Sequence, residues 1–474
     1  MLFSSIVFLF TFLPAVMLLY YLLPVRFRNV ILLLASLVFY AWGEPVYLFL
    51  MLLSILFNYF SGLDIARNLQ DKRAAKRSLV FNLIINLAVL GFFKYEGFVL
   101  DTLNGILPVH ISYHALPLPI GISFYTFQIL SYIIDVYRGN VKVQTNLPNF
   151  ALYVTMFPQL IAGPIVQYAD VDEQLASREI SRTKFGEGSM YFIRGLAKKV
   201  LLANTSGMIF TEVSGLAKGN IAVMTAWLGA FAYMFQIYFD FSGYSDMAIG
   251  IALLLGFRFN VNFDSPYQSA TITEFWRRWH ISLSSWLKDY LYISLGGNRK
   301  GKIRTYINLL ITMLLGGLWH GASVSFILWG ALHGVALAVH KFVMNHFSSF
   351  KPLGSEMKPW RRVIGVLITF HLVCFGWILF RADSMQTVGE VLTQIFTNFH
   401  PEVFMQFVVG YKGVFVLMVV GYILHFMPKS AENGLQAVVT RSPLLVQAVM
   451  LAIAIFVVVQ FKSAGVQPFI YFQF

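Results

Sequence analysis

Residues 305–340 read TYINLLITMLLGGLWHGASVSFILWGALHGVALAVH and contain no Asp, Glu, Lys or Arg. A helix that crosses the hydrocarbon core of a bilayer needs roughly 20 apolar residues. Inside lipid, the backbone can satisfy its own hydrogen bonds only as a helix or a closed barrel. The stretch therefore predicts membrane-embedded helix.

The rest of the chain repeats this apolar pattern. Of its 474 residues, 58% are hydrophobic and 12% are charged, whereas soluble domains carry about 25% charged residues. Further uncharged segments cover residues 2–25, 45–63, 102–134, 143–169, 219–239, 363–380 and 442–461. We therefore predict an all-α polytopic helical membrane protein with roughly 11 to 13 transmembrane or re-entrant helices.

Basic residues lie in short loops between these apolar segments. Arg26 and Arg28 follow the first segment, and others cluster in residues 67–77, 178–199 and 277–304. Cytoplasmic loops of membrane proteins are enriched in Lys and Arg, so these loops are predicted to be cytoplasmic and the N-terminus to lie outside. Topology then accounts for the net charge of +13, and no nucleic acid is predicted as a partner.

The domain organisation is predicted to be simple. No soluble domain and no internal repeat of the kind found in two-half transporters is recognisable. We predict a single helical membrane domain, 1–461, and an extracytoplasmic C-terminal motif, 462–474. The first apolar segment lacks a basic leader and is too long for a cleavable signal, so it is predicted to be retained.

One histidine lies deep in the opening stretch. A helix that begins near Arg304 places His320 about 24 Å along its axis, within the hydrocarbon. Ionisable groups there are costly and indicate function; a hydrogen bond between helices is the alternative, and position alone does not decide. The neighbouring glycines, Gly316, Gly317 and Gly321, would permit a bent helix and the approach of a substrate.

The longest polar stretch, residues 262–304, is basic and aromatic, as in helices at a membrane interface. It contains His280, together with Arg277, Arg278 and Lys288. The three cations are predicted to bind the phosphates of a cytosolic nucleotide-bearing donor. Composition alone favours interfacial anchoring for the whole segment.

Other polar residues point to packing. Asp240 and Asp246 are six positions apart, which does not place them on one helical face, so they are predicted to be partners of buried Arg, Tyr or His and not a catalytic acid pair. Cys374 follows His371 by three residues, and a thiolate nucleophile is conceivable. A small buried residue in a membrane span is the favoured interpretation of Cys374.

Several segments resemble the membrane-bound O-acyltransferase family, in particular its bacterial branch that contains the alginate O-acetylation membrane protein. The long string RWHISLSSWLKDYLYISLGGNR, residues 278–299, carries this resemblance. It is supported by residues 314–334, 238–246 and 157–164, the last reading FPQLIAGP. The similarity extends from the N-terminus to about residue 430.

This resemblance implies an activity and its components. It implies transfer of an acetyl group from cytosolic acetyl-CoA, the donor substrate, to a polysaccharide outside a bacterial cell membrane, without a bound cofactor or metal. His320 would be the essential histidine and general base, with His280 as its partner. An extracytoplasmic serine hydrolase-like acetyltransferase often completes the transfer in such systems. An acyl donor on a carrier protein, or export of a polysaccharide or lipid, stays open.

The C-terminus, residues 465–474, reads GVQPFIYFQF. Its composition favours an aromatic anchor at the membrane surface. It also resembles the C-terminal motif of the small membrane partner used in teichoic acid D-alanylation, whose tyrosine is thought to carry the acyl group. That resemblance implies that Tyr471 is an acyl carrier fused to the transferase.

Overall fold

The computed structural model of the protein describes residues 1–108, 111–114, 116–216, 223–347, 358–382, 384–397, 401–443, 445–447, 449–450, 452–453 and 456. Over these residues the regular structure is helical and contains no β-strand, so the predicted all-α class is confirmed. The predicted C-terminal motif, 462–474, lies outside the described residues. The boundaries of the domain 1–461 stay a prediction.

The described helices belong to two compact units: an N-terminal unit, residues 1–192 and 247–261, and a C-terminal unit, residues 193–246 and 262–474. The N-terminal unit begins with α1 Leu13–Leu22, α2 Arg28–Ala41, α3 Tyr47–Arg67, α4 Lys72–Ile106, α5 Ile122–Arg138, α6 Leu147–Thr155, α7 Phe157–Leu160 and α8 Tyr168–Ala176. Then follow α9 Arg182–Ala197, α10 Asn204–Leu216 and α11 Val223–Leu254. The C-terminal unit continues with α12 Ile272–Arg278, α13 Ile281–Trp286, α14 Lys302–His320, α15 Val324–His346, α16 Pro359–Arg381, α17 Met385–Thr397, α18 Pro401–Gly410, α19 Lys412–Phe426 and α20 Lys429–Arg441.

Buried side-chain amides join α3 to α4. Asn82 and Asn86 each donate an Nδ2–H to Asn58 Oδ1, at 2.7 and 2.9 Å, and Asn58 Nδ2 donates to Asn86 Oδ1 at 3.0 Å. The outer face of α3 carries exposed apolar side chains such as Phe49 and Leu53. Polar groups inside and apolar groups outside are the arrangement expected of helices surrounded by lipid.

Glycines bring α14 and α15 together as a hairpin. A Cβ atom at Gly317 would overlap the backbone oxygen of Phe326, and one at Gly330 would overlap the backbone oxygen of Met313. Small residues at such crossings let two backbones approach closely in membranes. The uncharged stretch 305–340 thus contains two helices, separated by a turn at 321–323.

Among the described helices, α3, α4, α15 and α16 are long and apolar enough to cross a membrane. The helical segment Phe8–Leu22 and α19 are apolar but shorter. The predicted total of 11 to 13 transmembrane or re-entrant helices stays a prediction.

Candidate active site

His320 is the last residue of α14. The next residue, Gly321, has extended backbone angles, φ −163° and ψ 156°, and its N–H donates to Gly317 O at 3.3 Å. The helix predicted between Arg304 and His320 is therefore continuous. His320 lies where that helix gives way to the turn of the α14–α15 hairpin.

Aromatic rings surround the His320 imidazole, whose residue is 8% exposed. Its ring centroid lies 5.0 Å from that of Trp319, 5.1 Å from that of Trp329 and 5.2 Å from that of Phe380, all close to edge-on. We call these three rings the aromatic cage. An apolar cage of this kind lowers the local dielectric constant, so charge that develops on the imidazole interacts strongly with any nearby polar group.

The glycines beside His320 face protein atoms, and a bend at them stays a prediction. A Cβ at Gly321 would overlap the Phe326 ring, a Cβ at Gly317 would overlap the backbone of the same residue, and a Cβ at Gly316 would lie 3.2 Å from Leu287 Cδ1. The space beside each glycine is therefore already occupied by protein. These glycines permit close packing around the end of α14.

His280 is wholly buried between α12 and α13, in the left-handed backbone region at φ 44° and ψ 54°. Two backbone hydrogen bonds hold the chain on either side, from Asp264 N to Arg278 O and from Ile281 N to Asn262 O, both at 2.9 Å. Few non-glycine residues adopt such angles, which require firm support from the surrounding structure. The His280 side chain is not an exposed interfacial anchor.

Hydrogen bonds define the tautomer of His280. Asn262 Oδ1 accepts from the Ser282 N–H at 3.1 Å and lies 3.3 Å from His280 Nδ1. Since that oxygen is an acceptor, Nδ1 carries the proton and Nε2 presents a lone pair. Nε2 has no hydrogen-bond partner among the described residues. Burial lowers the pKa of His280 to about 3, so the ring is neutral at physiological pH.

A tryptophan connects the two predicted histidines. The Trp319 ring centroid lies 6.2 Å from that of His280 and 5.0 Å from that of His320. The structure therefore brings together two residues that are 40 positions apart in sequence. Trp319 belongs to the aromatic cage around His320, and its ring also lies near the His280 ring.

Two further N–H donors are buried near His320. Trp276 Nε1, which can only donate, lies 3.3 Å from His333 Nδ1, so neutral His333 carries its proton on Nε2. His333 Nε2 and Trp329 Nε1 are buried and have no hydrogen-bond partner among the described residues. Their rings are 4.8 Å apart. No local sequence pattern marks these donors, because their lack of partners is a property of packing.

The three predicted donor-binding cations have different surroundings. Arg277 is exposed. Lys288 is 62% exposed, and its Nζ lies 3.3 Å from Asp289 Oδ1. The Arg278 guanidinium lies 3.0 Å from Glu274 and 3.7 Å from Asp264. Because two carboxylates already compensate its charge, Arg278 is the least available of the three for a phosphate.

The two aspartates of α11 form ion pairs. Asp240 Oδ1 lies 2.6 Å from Lys199 Nζ, and Asp246 Oδ2 lies 2.7 Å from Lys198 Nζ and 3.0 Å from Arg194 Nε. Lys198 and Lys199 open a π-helical turn, which places consecutive lysines against both aspartates. The aspartates are therefore partners of cations, as predicted, but two of the three cations are lysines, and only Lys199 is buried.

Cys374 and His371 do not form a catalytic pair. Cys374 is wholly buried. His371 is exposed, and its Nδ1 lies 2.8 Å from Leu367 O on the same helix. The interpretation of Cys374 as a small buried residue of a helix is confirmed.

Tyr471 lies outside the described residues, so its place relative to His320 stays a prediction.

Comparison with known proteins connects this site to a family. Residues 140–381, which contain His280 and His320, match the profile "MBOAT, membrane-bound O-acyltransferase family". The chain is 49% identical over 406 residues to a probable alginate O-acetylase of Pseudomonas aeruginosa, covering 84% of this chain and 75% of that protein. It is 38% identical over 424 residues to a peptidoglycan O-acetyltransferase of Helicobacter pylori, covering 83% and 79%. A teichoic acid D-alanyltransferase of Bacillus subtilis is 28% identical over 272 residues, covering 55% and 68%. The chain therefore belongs to the membrane-bound O-acyltransferase family of multi-pass membrane enzymes.

Proposed function

We propose that the chain is an O-acetyltransferase that moves an acetyl group from cytosolic acetyl-CoA across the membrane for O-acetylation of a cell-surface or secreted polysaccharide. The observation that carries this proposal is the buried His320, enclosed by the aromatic cage beside two unpartnered N–H donors. The names of the alginate and peptidoglycan O-acetylating relatives support an acetyl group and a polysaccharide acceptor.

In the proposed reaction His320 is the general base. Its neutral imidazole takes the proton from an acceptor hydroxyl while the hydroxyl oxygen attacks the thioester carbonyl carbon. The C–S bond then breaks, and the imidazolium returns the proton to the departing CoA sulfur, which yields CoA and an ester. Catalysis of this type contributes about 10² to 10⁴ in rate. The apolar cage excludes water, which would hydrolyse the thioester.

The two unpartnered donors suit the charge that forms during this reaction. Attack on the carbonyl places negative charge on its oxygen, and fixed N–H groups in a dry site stabilise that charge strongly. In this proposal Trp329 Nε1–H and His333 Nε2–H point to that oxygen. His280 is a positioning residue, which supports Trp319 and through it His320.

Donor binding is proposed to use the exposed cations at the predicted cytoplasmic side. Arg277 and Lys288 would contact the CoA phosphates directly. Arg278 would stabilise the fold of the segment through its ion pairs with Glu274 and Asp264. Replacing Arg277 and Lys288 together with Gln should raise the KM for acetyl-CoA with little effect on kcat. Arg278→Gln is expected instead to lower thermal stability. Equal changes in folding yield for both variants would contradict this assignment.

Tyr471 is proposed as the acceptor on this chain. A phenol with a pKa near 10 is only modestly less acidic than a thiol near 8.5, so its acetyl ester would lie between the CoA thioester and a sugar ester in reactivity. An extracytoplasmic serine hydrolase-like acetyltransferase would then take the acetyl group from Tyr471, whose oxygen recovers a proton, and pass it to the polysaccharide. Transfer to an extracytoplasmic protein requires the C-terminus to lie on the outer side of a bacterial cell membrane, which is also the proposed side of the N-terminus.

Two alternatives lead to different measurements. A carrier-protein thioester could replace acetyl-CoA, as the similarity to a D-alanyltransferase permits. An exporter of polysaccharide or lipid would use the histidines only for packing and would turn over no thioester.

Purified full-length protein incubated with [¹⁴C]acetyl-CoA tests the proposal. We expect CoA thiol to be released and acetyl label to appear on Tyr471 in the C-terminal peptide by mass spectrometry. Both signals should be lost in His320→Asn, which lacks the base, and in Tyr471→Phe, which lacks the acceptor hydroxyl. Normal polysaccharide acetylation by Tyr471→Phe would refute the relay. An absence of thiol release with acetyl-CoA and with an acetylated carrier protein would refute the transferase.

A further inference from the structure

Two arginines of the N-terminal unit lie against one tyrosine ring. The Cζ atoms of Arg28 and Arg178 are 5.2 and 5.6 Å from the centroid of Tyr20. Neither guanidinium has a carboxylate partner among the described residues. Each has one buried N–H without an acceptor there, Arg28 Nε and Arg178 Nη2.

Neutral groups hold Arg178 in place. Its Nε donates to Tyr20 Oη at 2.8 Å and to Leu255 O at 3.2 Å, and its Nη1 donates to Asn29 Oδ1 at 2.7 Å. These bonds orient the guanidinium but do not neutralise it. The pKa of Arg178 is lowered, by burial first and by the Arg28 charge as well, with Tyr20 opposing both effects.

Such an arrangement is costly without a counterion. Arginine does not lose its proton in proteins, so two like charges persist near the Tyr20 ring. A partly buried cation is normally paired with an anion, and an unsatisfied buried N–H adds a further penalty. The planar array of N–H groups of a guanidinium matches the oxygens of a phosphate.

The surroundings of the pair are apolar as well as cationic. Tyr20 lies near the end of α1, and the same helix exposes Leu18 and Leu22 by 60% and 74%. Val25, which is 68% exposed, lies in the link that leads to Arg28. Exposed apolar side chains next to cations at the end of a membrane helix are suited to a ligand that has both a phosphate and acyl chains.

We propose that Arg28 and Arg178 form a binding site for the phosphate of an anionic phospholipid, whose acyl chains lie along the exposed face of α1. The bound lipid supplies the missing negative charge. Arg28 at the start of α2 and Arg178 after α8 both contact Tyr20 of α1. A lipid bound to both arginines would strengthen the connection between these three segments. This site does not depend on the proposed acetyl transfer.

Thermal unfolding of the full chain in detergent tests the site. Phosphatidylglycerol should raise the melting temperature in a saturable manner. Phosphatidylcholine, whose phosphate is neutralised by its own ammonium group, and inorganic phosphate should have little effect. In Arg28→Gln the phosphatidylglycerol concentration for half-maximal stabilisation should rise about tenfold or more, as expected for the loss of a charge-assisted contact.

The matched control is Arg26→Gln. Arg26 is an exposed arginine two positions before Arg28, and its guanidinium lies over the Phe27 ring. The substitution therefore removes the same charge outside the proposed site. This variant should respond to the lipid as the unmodified protein does. Equal weakening in both variants would mean that the lipid only senses surface charge, and would overturn the proposal. A full response to phosphatidylcholine would also overturn it. A full response to inorganic phosphate, lost in Arg28→Gln, would overturn the lipid assignment in favour of a free-anion site. Native mass spectrometry that finds no retained phosphatidylglycerol would count equally against it.

Discussion

The α3–α4 pair and the α14–α15 hairpin are both built from apolar helices, but their buried polar groups differ. In the first pair Asn58, Asn82 and Asn86 form hydrogen bonds mainly with one another. In the hairpin, Trp329 Nε1 and His333 Nε2 have no partner among the described residues. Membrane interiors penalise unsatisfied polar groups, so a site that retains them is suited to a ligand that completes them.

The contacts between the helices differ in the same way. Side-chain amides link α3 to α4, whereas backbone contact through Gly317 and Gly330 joins α14 to α15. Because this close contact in the hairpin is between backbone atoms, polar side chains of α14 and α15 can interact with a ligand. We infer that polar residues serve stability in the first pair and reactivity in the second.

The largest expected effect is that of His320→Asn, which should lower acetyl transfer about 10³-fold because the general base is lost. Asparagine retains a polar side chain of smaller volume, so thermal stability should change little. Turnover is measured as CoA release from acetyl-CoA. The control is His371→Asn, at an exposed histidine of α16. Activity of His320→Asn near that of the control would remove the chemical difference between the two helix pairs.

Trp329→Phe should lower kcat/KM about 10²-fold, which is the loss typical of one oxyanion donor. The substitution keeps the ring and removes the N–H, so the melting temperature should be nearly unchanged. Trp360→Phe, at an exposed tryptophan, is the matched control. If both variants retain full activity, the unpartnered indole N–H has no part in the reaction.

Gly330→Ala should reduce the free energy of unfolding by about 2 kcal/mol, since the new methyl group would displace the backbone of α14. Gly91→Ala in α4 is the counterpart, because a Cβ there would meet nothing within 4 Å. It should be neutral or slightly stabilising. The free energy of unfolding of each variant is measured in mixed micelles titrated with SDS. A similar loss in the two variants would show that close backbone contact is not specific to the hairpin.

Asn82→Leu should have the smallest effect, a loss of about 1 kcal/mol, as is usual for one hydrogen bond between membrane helices. Acetyl transfer per folded molecule should be unchanged. The same micelle titration and the CoA-release assay measure the two quantities. A loss of activity at unchanged stability would place the amide network in the reaction and contradict the difference between the two helix pairs.

The sequence by itself determined the helical class and the membrane environment, and it singled out His320 as a candidate functional residue. These follow from local properties: long uncharged segments must satisfy their backbone hydrogen bonds as helices, and an ionisable group within one is costly. The resemblance of residues 278–299 to a known family pointed to acyl transfer, which the comparisons place in the membrane-bound O-acyltransferases.

Tertiary structure alone decided which polar groups are compensated and which are left open. The sequence predicted that Arg278 binds the donor phosphates. In the fold, Glu274 and Asp264 lie beside its guanidinium and compensate its charge. Arg28 and Arg178 looked like ordinary loop residues, yet they share the Tyr20 ring. Whether a charge or an N–H has a partner depends on residues that are distant along the chain, and a local sequence pattern contains no information about those neighbours.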